Sequence, residues 1–264
     1  MKDPKDLKIT VYIDDEVYTD RQIEAYEYLR NIHVLHQMIH LGAEITDNGK
    51  VLSYDDVDFL NKEDAQRLVY EAKKARLGDE IRELYKDQCA RMDEFWRDIV
   101  KDWSPEDECK KTVVTLEADG LTINEFMLLL KKAGTEASLK SNPEHYSGYP
   151  YPTDVHYGME TMGMFALPTD GIAAYQDVID TDGIEMDPGF IGKIGGHVEL
   201  RSDGTNTHIY TSIQHKQTEK GVVIRPTIFW PKNTPDTLVE GHKIHLAVEY
   251  YEMIKLAKQA ESAW

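Results

Sequence analysis

The residues able to do chemistry here are ten histidines and forty-eight carboxylates, because Cys89 and Cys109 are the only cysteines. Two thiols are too few for a disulfide framework or a Cys-rich zinc knuckle, so any metal must be held by imidazole and carboxylate. In NTHIYTSIQHK, residues 206–216, strand alternation puts His215 on the face of Ile209 and Ile213, and His208 with Tyr210, Ser212 and Gln214. His215 is thus either a hydrogen-bonded core histidine or a ligand aimed into a cavity. In VHYGMETMGMF, residues 155–165, His156 and Glu160 share a face with Met162 and Met164, which suits one wall of a metal pocket or a solvated edge strand. His197 and Glu199 lie opposite Val198 and Leu200 and read as outward-facing. Near the C-terminus His242, His245 and Glu249 fall within an arc of about 60° on a helix, close enough to share a zinc ion or to form a polar stripe. His33, His36 and His40 repeat that spacing beside the apolar arc of Tyr28, Leu29, Ile32, Leu35 and Ile39, a pattern that suits an interface margin.

The elements that position these groups follow from periodicity and punctuation. Leu7 to Tyr18 reads as a short strand or arm. Thr19 or Asp20 caps a helix running to about Leu41, stopped by Gly42. Asn61 to Asp64 cap another, interrupted at Gly78 and resumed to about Trp103, and Ser104-Pro105-Glu106-Asp107 opens a further short element. From Thr112 the character changes: TVVTLEA is β-branched, Thr122-Ile123-Asn124-Glu125 is a capping box, and Thr135–Ser141 is a second short helix. The breaker-rich NPEHYSGYPYPTD then leads to strands at His156–Leu167, Ile172–Ile179, Lys193–Arg201, His208–Lys216 and Val222–Trp230, with turns at Pro168–Gly171 and Ser202–Gly204. Thr234-Pro235-Asp236 starts a last long helix. The chain is therefore expected to be α+β, with a mainly helical region over 1–110 and an antiparallel sheet plus long C-terminal helix over 111–264.

That order of elements is similar to the helix-grip fold of the START-like superfamily, in which the sheet wraps the last helix around a ligand cavity. A cystatin-like or split barrel is the alternative. The stretch from His215 to Trp230, with Gly221, Arg225 and the Phe229-Trp230 pair, resembles a segment of the diacetylphloroglucinol and phloretin hydrolase family, and LAVEYYEMIKLA resembles its late helix. The resemblance covers some forty to fifty residues. It implies a helix-grip core and a zinc ion whose activated water cleaves the bond between an acyl carbon and an electron-rich aromatic ring. By position it carries over only His215, as a zinc ligand. The family's tryptophan-rich segment ending in Trp-His has no counterpart here, and the gaps around Gly221 and Arg225 differ.

The expected function is therefore a zinc-dependent hydrolase or lyase for a small aromatic or acyl ketone. His215, His156, Glu160, His245 and His242 are its candidate ligands, and Glu160 and Glu249 its candidate catalytic carboxylates. A binding protein for an apolar molecule, with a cavity drawn from Met159, Met162, Met164, Phe165, Ile213 and Phe229, stands beside it. An acidic oligomeric scaffold is the third reading. The formal charge of −18 disfavours nucleic acid and anionic bilayers as partners. The opening residues lack a signal-peptide layout and no apolar run approaches the ~20 residues that span a bilayer, so a cytoplasmic protein is expected. The apolar faces of the early helices predict a homodimer or higher oligomer.

Overall fold

Asp14 and Asp15 both take positive φ, 51° and 66°, the geometry of a two-residue hairpin turn whose twist matches its strands. They fold the N-terminal arm into β1 (Lys8–Ile13) and β2 (Glu16–Tyr18). The structure, a computed structural model, describes residues 7–132, 135–150, 155–161, 167–174 and 184–262. β1 pairs with β5 (Lys110–Asp119), so the arm is part of the main sheet. The other strands of that sheet are β6 (His145–Pro150), β7 (Val155–Thr161), β8 (Pro168–Ala174), β9 (Gly192–Leu200), β10 (Asn206–Gln217) and β11 (Gly221–Trp230). Their order is β2-β1-β5-β11-β10-β9-β8-β7-β6, every pairing antiparallel. The expected α+β class with a large antiparallel sheet and a long last helix is thus present.

The helices begin where the sequence predicts and end differently in places. α1 (Asp20–His40) opens on a capping box between Thr19 and Gln22, and Gly42 turns the chain away at φ 94°. A small hairpin, β3 (Thr46–Asp47) with β4 (Lys50–Val51), and the short α2 (Tyr54–Val57) were not anticipated. Asn61 caps α3 (Lys62–Lys74). The helix expected to resume at Gly78 is broken once more, into α4 (Asp79–Leu84) and α5 (Lys86–Val100), because Tyr85 leaves helical geometry at φ −103°, ψ 11°. Its ring is fully buried against Tyr146, centroids 4.6 Å apart.

Ser104–Asp107 is a turn and not the start of a helix. After β5 the Thr122–Glu125 capping box opens α6 (Ile123–Lys132), and α7 (Thr135–Ser141) follows. Two sequence readings need correction beyond this point. The breaker-rich segment contains a strand, β6, at the sheet edge, where prolines and glycines are tolerated. Pro168–Gly171 is not a turn but the first half of β8, paired with Gly158–Thr161. Residues 162–166 and 175–183, which hold parts of two expected strands, lie outside the described residues.

α8 (Asp236–Ser262) lies against β5, β1, α1, α6 and α7. Its buried side chains Val239, Ile244, Leu246, Ala247, Val248, Tyr250, Tyr251 and Ile254 share one core with Val11, Val114, Leu116, Ile224 and Trp230 of the sheet. A second core joins Val34, Leu35 and Met38 of α1 to Leu68 and Val69 of α3, Ile81 of α4, and Tyr146 and Met159 of β6 and β7. β6 and β7 are therefore packed on one face by the early helices, leaving their other face for α7 and α8.

Candidate metal centre

His145 is the first residue of β6 and pairs across the strands with Glu160 of β7. Cross-strand partners project from the same face, so imidazole and carboxylate meet there, while the adjacent Tyr146 and Met159 point into the second core. From the opposite side, α8 presents His245 and Glu249, four residues apart on one helical face. The His145 and His245 Nε2 atoms are 3.1 Å apart, and His145 Nε2 is 3.2 Å from Glu160 Oε2. Glu249 Oε2 is 3.9 Å from both Nε2 atoms. The ligand atoms of His145, Glu160 and His245 all lie within 4.8 Å of one another, a group that could hold a metal ion. The histidine side chains are 6% and 1% exposed, the Glu160 and Glu249 side chains 34% and 19%, so the group has a dry imidazole side and a wetter carboxylate side.

The far side of each ring decides which proton it carries. His145 Nδ1 lies 3.2 Å from the Ser138 carbonyl oxygen, with Ser138 Oγ at 3.4 Å. His245 Nδ1 lies 3.6 Å from Glu144 Oε2. A carbonyl oxygen is an acceptor, so a neutral His145 carries its proton on Nδ1 and turns its Nε2 lone pair inward, whereas His245 Nδ1 has no hydrogen-bond partner among the described residues. Burial, followed by the charge of Lys73, pushes His145 down to about 3. Burial together with His242, His145 and Arg30 pushes His245 well below the usual histidine value. Both rings are thus held neutral, and their Nε2 atoms face each other at 3.1 Å, close enough for one ring to donate to the other or for both to hold a cation.

The carboxylates point the same way. Burial raises Glu160 to about 7, and burial plus the neighbouring Glu160 raises Glu249 well above the carboxylate range. Negative charge is costly here without compensation, and a divalent cation would supply it.

A buried turn sets the geometry. Asn142 Oδ1 accepts from the Glu144 backbone N–H at 2.9 Å, and its amide donates to the His245 carbonyl at 3.2 Å, tying β6 to α8. Lys73 of α3 is fully buried, and its ammonium donates to the carbonyls of Leu139, Asn142 and Pro143 at 2.8, 3.0 and 3.0 Å. Three carbonyl acceptors surround the nitrogen without a carboxylate, and burial pushes Lys73 well below the ordinary lysine value.

Of the residues singled out in the sequence, Glu160 and His245 enter the group, and Glu249 borders it. His242 stacks on His245, centroids 4.6 Å apart, and meets Trp230 edge-on at 5.0 Å, but it is not part of the group. His156 pairs with Ala173 in β7, and its side chain lies outside the described residues. His215 is also not part of the group: it pairs with Ile224 and Gly192, and its ring lies over Gly192. His208 stacks on Trp103 at 3.6 Å, and His197 bonds Glu199 at 3.0 Å. His36 stacks on Tyr54 and reaches Asp58 at 3.3 Å. The expected cavity lining divides: Ile213 belongs to the main core and Met159 to the second, while Met162, Met164 and Phe165 lie outside the described residues.

Sequence reasoning missed His145, because Asn142–Pro143 and the following Gly and Pro residues read as a loop. The available signal was alternation in His145-Tyr-Ser-Gly-Tyr, a strand whose partner already carried Glu160. No protein-family model matches this chain, and neither does any curated protein. Among the described residues no helix is long and apolar enough to cross a membrane.

Proposed function

We propose that this protein is a zinc-dependent hydrolase or lyase acting on a small aromatic or acyl ketone, its metal held by His145, His245 and Glu160 with Glu249 beside them. The observation that carries the reading is the pair of inward-facing Nε2 atoms 3.1 Å apart, with the Ser138 carbonyl at His145 Nδ1 and the Glu144 carboxylate 3.6 Å from His245 Nδ1. Zinc–nitrogen bonds of about 2.0–2.1 Å at tetrahedral angles separate ligand atoms by about 3.4 Å. The observed edges of 3.1 and 3.2 Å are close to that. The donor set also fits the metal's preference for imidazole and carboxylate. Three protein ligands leave a position open, and zinc there would polarise a carbonyl and lower the pKa of a water toward neutrality.

The chain's own groups do the rest. His145 and His245 supply neutral donors at all physiological pH values, since burial keeps both from protonating. Glu249, 3.9 Å from each ligand nitrogen, is placed to hold a proton on its carboxyl and pass it to a leaving group at the wet side of the site. A helix-grip arrangement, with sheet and α8 enclosing the substrate, is part of the same proposal; the antiparallel sheet packed on the long last helix supports it.

Elemental analysis of untagged protein tests the reading. The expectation is about one zinc per chain, lost on dialysis against a chelator and recovered on adding Zn²⁺. Protein that carries no metal and binds no added zinc would remove the mechanism.

A further inference from the structure

The residue before ligand His145 is Glu144, whose side chain is entirely buried. Its backbone is fixed by the Asn142 side chain, and the turn that carries it by Lys73. One carboxylate oxygen, Oε2, stands 3.6 Å from His245 Nδ1 and in contact with the Arg30 guanidinium. Neither carboxylate oxygen, nor His245 Nδ1 opposite, has a hydrogen-bond partner among the described residues, so a buried acceptor faces a buried ring nitrogen across an open 3.6 Å gap. Arg30 comes from α1 and is itself only 3% exposed. A buried carboxylate and a buried guanidinium are costly to keep for stability alone, and pairs of this kind are often replaceable by apolar side chains. This pair stands opposite the far nitrogen of a candidate ligand ring, the position from which a carboxylate orients a metal-binding imidazole and fixes its tautomer.

We propose that Glu144, clamped by Arg30, is a positioning residue of the metal centre: it faces the His245 Nδ1 proton, and when a metal binds, the 3.6 Å gap closes, Glu144 accepts that proton, and Nε2 is held bare and aimed at the metal. The inference rests on the metal reading above and deepens it by extending the site to the first helix. His145 needs no such carboxylate because the Ser138 carbonyl serves its Nδ1. The two ligand rings are therefore oriented by different means, one by backbone of α7 and one by a clamped side chain on the turn. α1 takes part in the centre without supplying a ligand.

The experiment titrates Zn²⁺ into the stripped full-length chain against a colorimetric chelator and reads the His245 tautomer of the metal-free protein from imidazole ¹⁵N shifts. Glu144→Gln is expected to weaken zinc binding about tenfold to a hundredfold, and Glu144→Asp to recover part of the loss. Because Glu144→Gln removes a negative charge from beside Arg30, Arg30→Met/Glu144→Gln is measured alongside it. That double variant removes both buried charges and should show the same loss while melting near the wild type. The wild-type ring is expected as the Nδ1–H tautomer, giving way to a mixture in both variants. Zinc affinity within twofold of wild type in the double variant would overturn the inference, as would a wild-type His245 protonated on Nε2. A wild type that binds no zinc overturns the metal reading instead, and the tautomer measurement still decides the role of Glu144.

Discussion

His145 and His215 make a comparison: the sequence singles out the second, and the fold gathers other candidate ligands around the first. Both lie on strands of one antiparallel sheet, and both are pushed below the ordinary histidine value by burial. His215 had strand parity and a family resemblance in its favour; His145 sat in a stretch that read as turns. In the fold, α8 and the turn after α7 close over the sheet edge at β6 and bring His245, Glu249 and Glu144 to His145. Over His215 the structure places the bare backbone of Gly192, and its Nδ1 has no hydrogen-bond partner among the described residues. Alternation along a strand tells which face a side chain is on. What meets it there is decided by elements a hundred residues away.

The largest effect should come from breaking that contrast directly. His145→Ala and His245→Ala each remove one of two imidazole donors and are expected to reduce bound zinc from about one per chain to background. His215→Ala should leave the zinc content unchanged. Metal analysis of the three variants, with circular dichroism to confirm folding, measures this; zinc lost in His215→Ala but kept in His145→Ala would reverse the assignment.

Much of the frame was legible before any coordinates. Thr19, Asn61 and Thr122 announce their helices because capping is local, a matter of one side chain and the backbone three residues on. Gly42 and the strands from β9 to β11 were visible for the same reason. The centre was half legible: helix spacing shows that His245 and Glu249 share a face, and strand parity singles out Glu160. That Glu160 and His145 are paired follows from the β6–β7 register, and that α8 lies over them follows from tertiary packing. Neither leaves a mark in a short window of sequence. Arg30, Glu144 and Lys73 were invisible as site residues because charged side chains are ordinarily solvated, and only the fold shows these three buried.

A smaller effect concerns pH, and it separates the metal-free from the metal-loaded centre. Burial raises Glu160 to about 7, and Glu27, buried beside Glu252, is raised to about 7 as well. In the folded state both hold protons that the unfolded chain releases from pH ~4.5 upward, so their contribution to stability is present below that value and is lost as pH rises through 7. His145, lowered to about 3, acts in the other direction: its contribution is present above the ordinary histidine value and is lost as pH falls toward 3. Above pH ~4.5 the two glutamates outweigh the one histidine, so the metal-free protein should melt at its highest temperature near pH ~4.5–5 and lower at pH 8. Zinc should raise the melting temperature more at pH 8 than at pH 5, because its ligands bind deprotonated. Calorimetry on stripped and zinc-loaded samples measures both trends. A metal-free melting temperature that climbs from pH 6 to 8 would contradict the raised titration of Glu160 and Glu27.

The smallest effect sharpens the other half of the comparison, since it asks whether His215 is a packing neighbour. A Cβ on residue 192 would fall on the Nε2 and Cε1 atoms of His215 directly across the β9–β10 ladder. The obstacle is a side chain and not backbone, so the ring can swing off its preferred rotamer at a cost of about 1 kcal/mol. Gly192→Ala should accordingly lower the melting temperature by about 2–4 °C. In a His215→Ala background the obstacle is gone. There the same change should be neutral or slightly stabilising, because alanine gives up less backbone freedom on folding than glycine. A thermodynamic cycle over the two sites isolates the contact. Equal costs in the two backgrounds would mean that Gly192 is kept for some reason other than His215, and the account of that histidine as a ring packed on bare backbone would fail.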